Sequence, residues 1–161
     1  MELTKEQIQK LKELAVDSAN KKNLPNAALM LDGNKIVESE GSYPASKPDA
    51  TAHAERAIIE KVCRKTNKFL LPANYTIVSV FEPCLMCIGA AYWAGIKKIY
   101  YVIPASKYIN KIPWATESKT IDKNKLIAQF NEKMELIKLS KYEKEFTALF
   151  DRYVAKTVKR E

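Results

Sequence analysis

Two short segments hold most of the chemistry available to this chain. One is Thr51-Ala52-His53-Ala54-Glu55; the other is Glu82-Pro83-Cys84-Leu85-Met86-Cys87. His53 is the single histidine among 161 residues, and Cys84 and Cys87 are two of only 3 cysteines. Each segment opens a predicted helix, and the second follows a predicted strand directly. Residues three apart share one side of a helical turn, which brings the two sulfurs together. A helix N-terminus, with its unpaired N–H groups and positive dipole end, favours thiolate over thiol. Thiolate binds zinc, and His53 can add a nitrogen to the two sulfurs. Three protein ligands leave a fourth tetrahedral position open, the mark of a catalytic zinc site rather than a structural one. Water in that position becomes a source of hydroxide near neutral pH. Glu55, two residues past His53, is too close to ligate comfortably beside it. Its carboxylate could instead reach that water and carry the proton to a leaving group. Together the residues read as metal-assisted hydrolysis.

Taken apart, the fragments have plainer readings. An isolated histidine is more often a core or surface residue, and a C-x-x-C after a strand also suits a thioredoxin-like redox pair. The odd cysteine count does not look like a secreted disulfide framework and points to a cytoplasmic protein. Cys63 lies ten residues past His53 on the same predicted helix, almost three turns away. It reads as a small buried hydrophobe.

Apolar spacing predicts the frame. Residues 3–21 carry Leu3, Ile8, Leu11, Leu14 and Ala15 at helical intervals. Asn26 to Leu31 is an apolar strand; Asp32-Gly33 is a turn signal, and residues 35–40 complete a hairpin. Residues 41–51, with Gly41, Pro44 and Pro48, read as a loop, and 52–66 as a helix. Residues 75–81 form a buried strand, 84–95 a helix ending at Gly95, and 98–103 another strand. Beyond the prolines of 104–118 come a helix at 122–131, an edge strand at 134–139 and a helix at 142–156. The order predicts one domain over residues 1–161, an α/β fold with a mixed sheet and helices on both faces. A chain of this length can bury a core without disulfides.

Composition narrows the class further. With 47% hydrophobic and 29% charged residues and only 4 glycines, collagen-like and low-complexity chains are excluded. No apolar run approaches a membrane span, and the N-terminus shows no secretory signal. The net charge of +8 allows nucleic-acid contact without demanding it. Most lysines alternate with acids, as in Lys141-Tyr142-Glu143-Lys144-Glu145, and read as a solvated surface. The densest excess is Lys61, Arg64, Lys65 and Lys68, with smaller groups at Lys97-Lys98 and in Lys156 to Arg160.

The combination H-x-E…P-C-x-x-C is the signature of zinc deaminases. The stretch from Glu82 through Cys84, Cys87 and Gly89 to Tyr92-Trp93-Ala94 resembles the guanine deaminase and tRNA adenosine deaminase branch of the cytidine deaminase-like superfamily. The Tyr92-Trp93-Ala94 tail is more similar to guanine deaminases. Asp49 to Glu55 resembles both groups, which usually carry proline at the place of Ala50. The resemblance runs over residues 24–103. It implies a three-layer α-β-α fold around a five-stranded mixed sheet, and a homodimer. It implies zinc held by His53, Cys84 and Cys87, with Glu55 as proton shuttle. Hydroxide would attack a ring carbon bearing an exocyclic amine, releasing ammonia. The substrate would be a small nucleobase or nucleoside in purine metabolism, or alternatively an adenosine of tRNA. A zinc-binding subunit without activity is a further alternative, against which the retained Glu55 speaks.

Several positions depart from the relatives. They often carry a substrate-binding Asn eleven residues before the histidine, where this chain has Ser42. They usually have an apolar residue and then glycine where this chain has Asn26 and Ala27. Asn26 is expected to replace the lost amide and face the substrate, or else to be a turn residue. Backbone groups near Ala54 and Cys84 are expected at the base edge. Trp93 is expected in the base pocket by resemblance and in the core by periodicity. Trp114 can stack on a base or simply pack. Guanine deaminases supply an acid after the last core strand; Ile112 to Thr116 has none, and Glu117 is the nearest.

Overall fold

Alternate residues of a strand face opposite sides, and here that alternation divides the core into two halves. The computed structural model describes residues 1–112 and 121–155. Its strands are Ala27–Asp32 (β1), Lys35–Gly41 (β2), Tyr75–Phe81 (β3), Lys98–Ile103 (β4) and Glu135–Lys138 (β5). Ala27, Leu29 and Leu31 of β1 join one apolar cluster, and Ala28 and Met30 join the other. Val78 and Val80 of β3 take the first side and Ile77 the second. Val102 and Ile99 of β4 part in the same way.

The sheet order is β2-β1-β3-β4-β5. β1 is antiparallel to β2 and β3, whereas β3, β4 and β5 run parallel. The helices are Lys5–Asn20 (α1), Ala54–Thr66 (α2), Leu85–Trp93 (α3), Lys123–Ile127 (α4) and Glu143–Val154 (α5). α1 and α5 cover one face with Leu11, Ala15, Phe146 and Phe150. α2, α3 and α4 cover the other with Ile58, Val62, Ile88, Ala91 and Ile127. The three-layer α-β-α architecture with a five-stranded mixed sheet is therefore as the sequence implies.

Local chemistry sets the element ends. Thr4 caps α1 in a reciprocal box with Gln7. Gly33, at φ +58°, makes the tight turn between β1 and β2. Gly95, at φ +80°, follows the end of α3. The fourth helix is shorter than the expected 122–131. After Ile127 the chain tightens to three-residue hydrogen bonds, Gln129 to Leu126 and Phe130 to Ile127. That turn brings Phe130 back onto Tyr92 of α3, with ring centroids 4.5 Å apart.

β3 runs straight into α3, and the crossover returns in β4 beside it. The start of α3 therefore sits at the C-terminal end of a central strand, where ligands gather in parallel sheets. α5 seals the opposite face: Phe150 is fully buried, stacked on Phe81 at 5.2 Å and tilted against Tyr108 at 4.7 Å. Phe150→Ala is expected to cost about 3–5 kcal/mol, read as a lowered urea midpoint with an unchanged slope.

Candidate metal centre

The starts of α2 and α3 meet over the ends of β1 and β3. His53 is the N-cap residue of α2 and Cys84 that of α3, and neither side chain caps its own helix. Both point instead toward one another. Cys84 Sγ lies 3.4 Å from His53 Nδ1 and 3.5 Å from Cys87 Sγ, on the first turn of α3. The donor atoms of His53, Cys84 and Cys87 all lie within 4.8 Å of one another. Metal–sulfur bonds of about 2.3 Å at tetrahedral angles separate two sulfurs by about 3.8 Å. The observed spacing needs little adjustment to hold such an ion.

The electrostatics divide the two thiols. Cys84 is pulled down to about 4, chiefly by its hydrogen bond with Cys87 and then by His53, with burial opposing. Cys87 is pushed well up by the same hydrogen bond, by burial and by the charge of Glu55. The two thiols are thereby set apart, Cys84 toward the thiolate and Cys87 toward the thiol.

Glu55, in the first turn of α2, is only 2% exposed. Its Oε2 lies 3.6 Å from Cys87 Sγ. Its Oε1 accepts from Asn26 Nδ2 at 3.3 Å and from Ser79 Oγ at 2.5 Å. Asn26 Oδ1 in turn accepts from the Phe81 backbone N–H at 3.0 Å. On the other side of the Cys84 loop, buried Lys123 donates to the Pro83 carbonyl at 2.8 Å and pairs with Glu82 at 3.3 Å. Glu82 also accepts from the Ala105 N–H at 2.8 Å. Helix α4 therefore fastens the segment that delivers Cys84.

Residues 1–103 match the family model described as the cytidine and deoxycytidylate deaminase zinc-binding region. The chain belongs to that family. It is 37% identical over 75 residues to a guanine deaminase of Bacillus subtilis strain 168, covering 47% of each chain. It is 40% identical over 75 residues to a tRNA-specific adenosine deaminase of Agrobacterium fabrum, covering 47% of this chain and 48% of that one. The chain thus spans about half the length of the curated relatives it matches. A solved guanine deaminase structure from Nitrosomonas europaea shares the fold with a TM-score of 0.74 at 18% identity, over 96% of this chain and 87% of that one. The metal of this deaminase family is zinc, and the two-sulfur, one-nitrogen donor set suits it.

The remaining expected site residues fall in different places. Asn26 is buried just ahead of β1, and its amide is engaged by Glu55 and Phe81. It lies in the connection from α1 to β1, and its side chain contacts the Glu55 carboxylate, a partner the sequence reading did not name. Ser42 is buried after β2, where its N–H donates to Asn26 O and Ser18 Oγ, both at 3.0 Å. Ala54 is fully buried at the first position of α2.

Trp93 is not a core residue: it is 78% exposed. It follows Cys87 by six residues, about 9 Å along the helix axis. There it lines a surface groove with Ile59, Cys63, Phe69 and Ala90. Cys63 is accordingly half-buried rather than enclosed. Trp114 and Glu117, with the basic stretch from Lys156, lie outside the described residues. Ser79 and Lys123 escaped the sequence reading. For Ser79 a signal existed, since alternation from Ile77 aims it at α2.

Zinc loading at pH 7 should release about one proton from the cysteine pair, because Cys84 is held toward the thiolate and Cys87 toward the thiol. Affinity should therefore fall as pH falls. A zinc titration in weakly buffered indicator dye measures both.

Proposed function

We propose that this chain is a zinc-dependent hydrolytic deaminase of a nucleobase or nucleoside, of the guanine deaminase type. The observation that carries the reading is the place of Glu55: a buried carboxylate outside the three-donor set, yet 3.6 Å from one donor sulfur. In this reading His53, Cys84 and Cys87 hold the zinc, which when bound supplies a Lewis acid that makes water nucleophilic near neutral pH. Glu55 Oε2 takes a proton from the attacking water and delivers it to the departing amine. The bond from the ring carbon to its exocyclic nitrogen breaks, a carbonyl forms and ammonia leaves. The backbone at Ala54 and Cys84 meets the base edge, with Ser42 beside it. The guanine deaminase among the relatives supports this choice of substrate class.

Ammonia release from guanine, adenine, cytosine and their nucleosides by the zinc-loaded protein tests the reading. Glu55→Gln should lower kcat by about 10²- to 10⁴-fold while zinc content stays stoichiometric. The second reading, deamination of an adenosine in tRNA, is favoured by the net charge of +8 and by the Agrobacterium relative. Turnover of an anticodon stem-loop alone, falling steeply with salt, would select it, because phosphate contacts release counterions.

The reading includes a cytoplasmic homodimer. Cysteines kept as metal ligands and not joined in disulfides suit a reducing compartment, which supports the cytoplasmic part of this reading. For the dimer, the support is the apolar surface at the far ends of α2 and α3, where Trp93 and Phe69 are each 78% exposed and Leu70 is 55% exposed. Exposed aromatic clusters of this kind mark interaction surfaces. Sedimentation equilibrium should give twice the chain mass, and Trp93→Glu should shift it toward the monomer; an unshifted mass would place the interface elsewhere.

A further inference from the structure

Two side-chain donors, Asn26 and Ser79, hold Glu55 by Oε1, while its Oε2 faces Cys87 Sγ, 3.6 Å away. The Phe81 backbone N–H can only donate, so the Asn26 amide must turn its oxygen to it. That fixes the amide and aims its NH2 at Glu55 Oε1. Ser79 Oγ reaches the same oxygen, and lies also 2.7 Å from the Phe81 carbonyl and 3.3 Å from Asn26 Oδ1. Neither side chain belongs to a loose loop. Ser79 is inside the central strand β3 and fully buried. Asn26 lies two residues before Ala28, which pairs with Ser79, and both side chains reach Glu55 on the side of α2.

We infer that Asn26 and Ser79 are positioning residues, which lock the Glu55 carboxylate by Oε1 and leave Oε2 facing the metal ligands. This rests on the reading of Glu55 as the proton carrier. A glutamate has three side-chain torsions, and a free one loses that freedom each time it must align. Two buried donors, one within β3 and one just ahead of β1, settle the alignment before substrate arrives. Neither residue touches substrate; both act through Glu55.

The test uses the zinc-loaded full chain with guanine as probe. Ser79→Ala removes one tether at little change in volume. Asn26→Asp keeps the acceptor for the Phe81 N–H but replaces the donor to Glu55 with an acceptor, separating the structural contact from the positioning one. Each should lower kcat by about tenfold to a hundredfold with KM changed by less than about twofold. Ser79→Thr, which keeps the hydroxyl, should recover most of the loss. Zinc content should be unchanged throughout. Crystal structures of the two impaired variants should show the Glu55 carboxylate displaced or split between rotamers, against one in the parent. Full kcat in both variants would overturn the inference. So would a loss matched by lower zinc content or melting temperature with Glu55 unmoved. If the parent releases no ammonia from guanine, that guanine reading fails separately. The crystallographic comparison then decides the positioning role by itself, an unmoved carboxylate overturning it.

Discussion

A carboxylate taken out of water has to be solvated by the protein instead. Glu55 meets that requirement at the seam between β1 and β3. Two side-chain donors converge on Oε1 there, and a backbone N–H fixes the orientation of one of them. The seam is antiparallel and pairs Ala28 with Ser79, which brings Asn26, two residues ahead, within reach of the same carboxylate. α2 can then lay its first turn directly on the sheet, with Ile58 and Val62 continuing the contact into the apolar layer. Were the seam apolar at this point, the helix would have to rise off the sheet or lose its glutamate.

The two helices that carry the donor set are used at both ends. Their starts converge on the metal centre, and their far ends build the groove that contains Cys63 and Trp93. Between those ends, Ile59, Ile88 and Ala91 pack the shared layer. The Leu71 N–H, donating to the Ala94 carbonyl at 2.9 Å, ties the chain after α2 to the end of α3. The pair therefore behaves as one packed unit spanning from site to surface.

Most of this was legible in the residues. Apolar runs at β1, β3 and β4, with helical spacing in α1 and α5, point to a sheet with helices on both faces. The donor set was legible because one histidine and one C-x-x-C leave few alternatives. The exposure of Trp93 was not legible, because local spacing carries no information about which way a helix end faces. Lys123 was unreadable for a related reason: a lysine in a polar stretch looks solvated until a distant carbonyl and carboxylate, here Pro83 and Glu82, bury it. Asn26 was noticed, but its partner depended on a strand register that sequence does not print.

His53 and Cys84 occupy positions where Ser, Thr, Asp or Asn would ordinarily bond the exposed N–H groups of the first turn. Each helix forgoes a cap worth about 1 kcal/mol. An ion gripping both residues restores that restraint from outside the backbone, and joins two helix starts that are separate in sequence. Fraying of α2 and fraying of α3 then cease to be independent events and become one cooperative opening, so that amide exchange in the two first turns rises and falls together with metal occupancy.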